Sequence, residues 1–235
     1  MSKIVHPYAH RLIILRDWKS HWFADPKKYN EYLKGDVLVR EYLEKKLRGM
    51  YVSSIEIERN QKTTRFIIRT SRPGLIIGRN GEGVTKLKED ILKKISKLKL
   101  VKSEDFKLEI IEVSNPEADA TIIAYMIAEG LEKRLPYRRV VKQIVEKVMM
   151  AHGVEGVRVV VSGRLGGAEI ARTEELKKGS IPLQTFRADI DFKREKAHLP
   201  YGDVGIKVWI YRGKIFADKK SSHSTTDKGG KEIKK

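Results

Sequence analysis

Apolar residues recur along this chain in two successive sets of helical and alternating patterns, separated near residue 114. In the first set, Val39, Tyr42, Leu43 and Leu47 share one helical face. They predict a helix that opens at Asp36 as its N-cap and closes at Gly49, behind Lys45, Lys46 and Arg48 in the last turn. Two strand-like runs follow, 51–58 and 63–70, joined by Arg59-Asn60-Gln61-Lys62. Val52, Ser54 and Glu56 alternate against Ser53, Ile55 and Ile57, which suits a half-buried hairpin. Pro73 stands where a short helix can begin. Beyond it Val84, Leu87, Ile91, Ile95 and Leu98 predict an amphipathic helix with lysines outward, and Phe106, Leu108 and Ile110 predict a third strand.

The second set opens at Ser114-Asn115-Pro116-Glu117, a boundary and a helix start, with a cap residue just before proline. That helix runs to about Arg134, where Leu135-Pro136 interrupts it. A second helix carries Val140, Val141, Ile144, Val145, Val148 and Met149 on one face and closes at His152-Gly153. Strand patterns occupy 156–162, 168–174, 183–192 and 203–212. Two helices on a four-stranded sheet, an α+β layer, are expected. The predicted organisation is a basic, aromatic arm over 1–24, one α+β domain over 25–113, a second over 114–216, and a basic tail over 217–235. That tail has almost no apolar residues and is expected to be disordered. The arm holds Arg11, Arg16 and Lys19 beside Trp18, Trp22 and Phe23, and tryptophans of that kind call for a docking partner, either the protein body or RNA.

Composition narrows the function. The 235 residues hold 49 Lys+Arg against 31 Asp+Glu, a net charge of +18, which favours polyanionic partners. Cysteine is absent, so disulfides and thiolate metal sites are excluded. Neither a membrane-length apolar run nor a signal-peptide core is present, so a cytoplasmic location without membrane contact is expected.

Charge and glycine converge at Arg72-Pro73-Gly74-Leu75-Ile76-Ile77-Gly78-Arg79-Asn80-Gly81. Gly78 and Gly81 flank Arg79 and Asn80, so the backbone can turn sharply and approach another chain. The helix that follows can offer free N–H groups to an anion. Residues 59–102 carry thirteen Lys/Arg and three Asp/Glu around this turn. The glycine spacing matches neither a dinucleotide fingerprint nor a P-loop. The turn resembles the Gly-X-X-Gly loop of KH domains, which clamps about four nucleotides of RNA. The order helix, strand, strand, helix, turn, helix, strand is that of the prokaryotic, type II KH arrangement. A second glycine turn, Ser162-Gly163-Arg164-Leu165-Gly166-Gly167, leads into Arg172; Arg164 and Arg172 could each hold a phosphate.

These motifs together resemble, nearly end to end, the family of universal small-subunit ribosomal protein "S three" in its bacterial form. The resemblance rests on Lys3-Ile4-Val5-His6-Pro7 with Arg11-Leu12, on Trp18-Lys19-Ser20 and Trp22-Phe23, and on the run from Arg72 to Gly81. Further along it rests on Ser162 to Glu174, Ile181-Pro182-Leu183, Arg187 to Asp191, and Tyr201-Gly202 through Trp209-Ile210. It implies a structural constituent of the small-subunit head. Such a protein contacts rRNA through both domains and the arm, with Arg11, Lys19, Arg72, Arg164 and Arg172 among the expected contacts, and touches neighbouring ribosomal proteins. It also implies that Arg138, Arg139 and Lys142 line the channel through which messenger RNA enters and assist unwinding of structured messages. Helical spacing places these three cations on one face, opposite Val140, Val141, Ile144 and Val145. One departure is Asn80, where many relatives carry a second basic residue.

Two other classes compete: a free-standing KH regulator of messenger RNA and a basic nuclease. For the nuclease, Asp189 and Asp191 alternate on one strand face and could hold a divalent ion. Pairing with Arg172 or Arg187 is the expectation instead. The histidines at 6, 10, 21, 152, 198 and 223 are scattered, so no catalytic constellation, metal or cofactor is expected.

Overall fold

The computed structural model describes residues 5–60, 63–97 and 105–215. The tail over 217–235 lies outside the described residues, as do Ser103 and Glu104.

The first domain contains helices α2 (Pro26–Lys46), α3 (Pro73–Ile77) and α4 (Glu82–Lys97), and strands β2 (Val52–Arg59), β3 (Thr63–Thr70) and β4 (Asp105–Glu112). Strand β2 pairs with β3 antiparallel, and β3 pairs with β4 in parallel. The arm adds α1 (Pro7–His10) and the two-residue β1 (Ser20–His21), which joins the sheet beside β2 in parallel. Helices and sheet enclose Val39, Leu43, Ile57, Phe66, Ile68, Ile76 and Ile91. This is the expected KH arrangement with one correction. The first helix starts at Pro26, with Asp25 at its N-cap, so Asp36 lies inside it rather than at its start. Proline at the first helical position suits that end, since its missing N–H would be unpaired anyway. Asp36 is instead a buried anion, its side chain 3% exposed, held 2.5 Å from Arg59. Burial raises its pKa, against the opposing pull of Arg59.

A bulge at Ser53 accounts for the burial pattern of β2. Register shifts between Val52 and Ser54, so Val52 and Ile55, three residues apart, both reach the core. The displaced Ser53 hydroxyl donates to Asp119 of the second domain.

The second domain contains α5 (Ala120–Glu132), α6 (Tyr137–Met150), β5 (Gly156–Gly163), β6 (Arg172–Gly179), β7 (Ala188–Leu199) and β8 (Gly202–Lys214). The antiparallel sheet runs β6-β5-β8-β7. Both helices cover one face, over Val157, Val159, Val161, Ile206, Val208 and Ile210. Alternate residues Val160, Ile190, Phe192, Trp209 and Tyr211 form a smaller core on the opposite face, under Ile181 and Leu183.

Boundaries differ from expectation at the starts of α5, β6 and β7. Pro116 heads a short 3-10 turn, and α5 starts at Ala120, where buried Asp119 caps the amides of Thr121 and Ile122. Between the helices the expected interruption is present: Arg134 takes a left-handed φ of 59°, closing α5, and Pro136 caps the start of α6. Strand β6 begins at Arg172, not 168, because the glycine turn extends to Ala168; β7 is likewise displaced, over 188–199.

The domains meet through α5 and β2. Besides Ser53 and Asp119, the Tyr51 hydroxyl donates to Glu129, and Arg48 bonds both Glu132 and the Lys196 carbonyl at 2.8 Å. The arm spans both units. While β1 extends the first sheet, α1 lies against the edge strand β7, and His6 meets the Phe192 ring edge-on at 4.8 Å.

Candidate nucleic-acid interface

The glycine turn is built by backbone geometry before any charge acts. Gly78 has φ 70° and ψ −173°, a conformation essentially restricted to glycine. Asn80 follows at φ 50°, ψ 23°, and Gly81 at φ 79°. Asparagine tolerates left-handed backbone better than lysine or arginine, which gives a local reason for Asn80 here. A 3-10 turn over Arg79–Gly81 separates α3 from α4. Gly78, Arg79 and Asn80 are exposed, as are Leu75 and Ile77 beside them. The loop therefore presents one cation, polar backbone and an apolar shoulder to solvent.

Gly83, two residues beyond the turn, sets the distance between the two helices of this motif. A Cβ there would lie 2.3 Å from the Ile76 carbonyl oxygen and 2.8 Å from that of Ile77. Arg72, at the start of α3, stacks over the Tyr51 ring at 4.6 Å, toward the domain interface.

On the second domain, α6 turns Val140, Val141 and Val145 inward and leaves Arg138, Arg139 and Lys142 exposed. Arg138 is held by a two-pronged bond to Glu174 on β6, at 3.2 and 2.8 Å, with 76% of its side chain still exposed. That bond raises the Arg138 pKa, and Glu174 is held below its ordinary value by Arg138 first and by the Tyr137 hydroxyl next. Arg172 also lies within electrostatic range of Glu174. Through Glu174 the fold brings Arg138 of α6 against β6, the strand that also carries Arg172, a proximity that sequence distance concealed.

Two expected RNA contacts are engaged inside the protein. Arg11 is fully buried, at 0% exposure; it donates to the carbonyls of Ala188 at 2.6 Å, Leu183 at 2.9 Å, Thr185 at 3.0 Å and Pro7 at 3.1 Å. It fastens the arm to the second domain and cannot reach a phosphate. Its pKa is lowered by burial. Arg164 is the clamp of its own turn, donating to the carbonyls of Ala168 at 2.9 Å and Tyr201 at 3.3 Å. Both were candidates because they are arginines near glycine or aromatic motifs; only the tertiary fold shows the carbonyls that take up their donors. Lys19 remains accessible in an interdomain groove, over the Tyr8 ring at 5.4 Å.

Gly166 supports the clamp with φ 67°, and a Cβ there would meet nothing within 4 Å. Strain is therefore purely conformational. Gly166→Val is expected to lower stability by about 1–3 kcal/mol, since a β-branched residue resists positive φ. Chemical denaturation with the midpoint unchanged would refute this account of the turn.

The pair Asp189 and Asp191 is engaged within the protein. Arg16 of the arm holds Asp189 at 2.6 Å; Arg212 holds Asp191 at 3.1 Å, and the Ala120 amide donates to Asp191 at 2.9 Å. These contacts make the carboxylates structural anchors for the arm and for α5. Among the described residues no helix is long and apolar enough to cross a membrane.

Comparison with known proteins agrees with this architecture. A KH-domain family model matches residues 38–118, and the model of the ribosomal protein S3 C-terminal domain matches 127–210. Small ribosomal subunit protein uS3 of Caldicellulosiruptor bescii is 44% identical over 230 residues, covering 98% of this chain and 99% of that protein. The uS3 protein of Clostridium novyi is 41% identical over 94% of this chain and 96% of its own length. That of Pseudomonas aeruginosa is 44% identical over 92% of this chain and 91% of its own. These relatives are ribosomal proteins, not enzymes. With both domains matched and nearly the whole length aligned, the chain belongs to the family of small ribosomal subunit protein uS3.

Proposed function

We propose that this chain is a structural, rRNA-binding constituent of the small-subunit head, and that its α6 face borders the channel through which messenger RNA enters. The reading is carried by one observation: Arg138, Arg139 and Lys142 are exposed together on a helix that Val140, Val141 and Val145 lock into the core. Cations fixed in this way can hold phosphates of a single strand without rearranging. They favour the unpaired state of a message pulled past them, and no bond is hydrolysed. Glu174 holds Arg138 in place while most of its side chain stays exposed, and Arg172 lies on the same strand as Glu174. The Gly78–Gly81 loop supplies a separate contact to rRNA, with neighbouring head proteins meeting the remaining surface.

The test is alanine at Arg138, Arg139 and Lys142 together. Stability should change by about 0.5 kcal/mol or less per exposed position, apart from the modest loss of the Glu174 pair. Assembled ribosomes carrying the variant should slow more on a message with a stable hairpin than on an unstructured one. Equal slowing on both would exclude the unwinding role, and slowing on neither would make these cations part of an ordinary solvated face. Stoichiometric cosedimentation with small subunits at high salt separates the ribosomal reading from a free regulator.

A further inference from the structure

The arm, the first sheet and β7 enclose an open groove of 1210 Å³ between the domains. Its volume exceeds the roughly 300–1,000 Å³ usual for small-molecule pockets, and its openness suits a segment of polymer. Several charges in its wall neutralise one another: Arg69 pairs with Glu56 at 2.9 Å, Arg212 with Asp191, and Arg16 with Asp189. Asp119 is occupied by Ser53 and the α5 amides. Lys19, Lys193 and Arg194 stand apart from this pattern. Among the described residues none of them is within ion-pair distance of a carboxylate; they lie instead over the Tyr8, Tyr125 and Phe192 rings at 5.4, 5.9 and 5.5 Å.

Like charges that have no direct carboxylate partner in a concave wall are stabilised when an anion joins them. The neighbouring groups register that positive potential. Lys19, accessible but crowded by the groove wall, is held below its ordinary pKa by desolvation first and by Lys193 next, with Asp191 and Glu44 pulling the other way; His6 is lowered by desolvation, then by Arg194 and Lys19. Asp17 and Glu112 also line the groove, so its potential is moderate rather than extreme. The rim adds Trp18, 53% exposed, directly beside Lys19. Cations beside an exposed indole suit a single RNA strand: ammonium and guanidinium groups for phosphates and a flat ring for a base. An acidic peptide would use the cations and leave the indole unexplained.

We infer that this groove binds a single-stranded RNA segment across the joint between the two domains, with Lys19, Lys193 and Arg194 on its phosphates and Trp18 against a base. Because one strand would touch the arm and β7 together, its binding also fixes the arm against the second domain. The inference rests on the RNA-binding reading above and names a further contact surface for it.

Lysine acetylation footprinting of the full chain, read by mass spectrometry, tests it with oligouridylate of twelve nucleotides as the probe. Protection of Lys19 and Lys193 is the expected result. The variant K19A/K193A/R194A should bind the same probe about tenfold more weakly, with the slope of log affinity against log salt reduced by about 2, near 0.7 per lost phosphate contact. It should melt no lower than the parent, because removing clustered like charges relieves repulsion. Protection at Lys86 or Lys142 without protection at Lys19 and Lys193 overturns the groove and leaves RNA binding standing. Protection nowhere overturns both. If oligoglutamate shields Lys19 and Lys193 while oligouridylate does not, the groove takes an acidic protein segment, and the RNA assignment fails.

Discussion

Gly83→Ala is expected to destabilise the first domain by roughly 3 kcal/mol, the upper end of the usual cost of overpacking. The new methyl would sit 2.3 Å from a backbone carbonyl, that of Ile76, so no side-chain rotation can make room. Either α4 retreats from α3 or the carbonyls of α3 tilt away, and both distort the turn between them. Gly74→Ala provides the control. That residue lies in α3 with nothing within 4 Å of its added methyl, and alanine there should be neutral or slightly stabilising. Thermal unfolding by circular dichroism distinguishes the two. Equal midpoints for both variants would show that α4 shifts freely and that the close approach at Gly83 is not required. RNA binding by folded Gly83→Ala protein should also weaken, because Gly78 and Arg79 would lose their spacing from the start of α4.

The second large effect concerns charge at the same loop. Changing Arg79 and Asn80 together to aspartate should weaken binding of isolated protein to RNA by about tenfold or more, and should flatten its salt dependence. Aspartate, like asparagine, accepts the left-handed backbone at position 80, so the loop keeps its shape while its one cation is replaced by two anions. Fluorescence anisotropy at several salt concentrations reads both quantities. If affinity and slope stay as they were, the loop is a turn between helices and no more, and rRNA is held elsewhere. The Gly83 and Arg79/Asn80 variants are complementary: one moves the backbone without touching charge, the other changes charge without moving the backbone.

Much of this molecule is legible in the residues because its signals are local. Period-two alternation in Phe106, Leu108 and Ile110 and helical spacing in Leu87 and Ile91 depend only on neighbours along the chain, and β4 and α4 form where those patterns fall. The outward face of α6 follows from the same rule, since burying valines fixes the direction of the cations on the same helix. Gly78 and Gly81 mark a turn in sequence, and the backbone angles there show why glycine stands at both positions.

Where the sequence misleads, a distant partner decides. Asp36 reads as a cap because it precedes an apolar face, but Pro26 starts the helix earlier and Arg59 on β2 receives the buried carboxylate. Arg11 reads as an RNA contact until the carbonyls of Leu183, Thr185 and Ala188 are brought around it. Gly83 shows no local peculiarity; its necessity comes from the approach of α3. The charges of the interdomain groove lie on the arm and β7, more than 170 residues apart in the case of Lys19 and Lys193. Local pattern determined the two α+β domains, the loop and the basic helix, since each depends on residues within a few positions of one another. Tertiary structure alone decided which arginines face solvent and which cations share a surface. Those outcomes depend on carbonyls and carboxylates that reach the site only after both sheets have formed and the arm has bridged them.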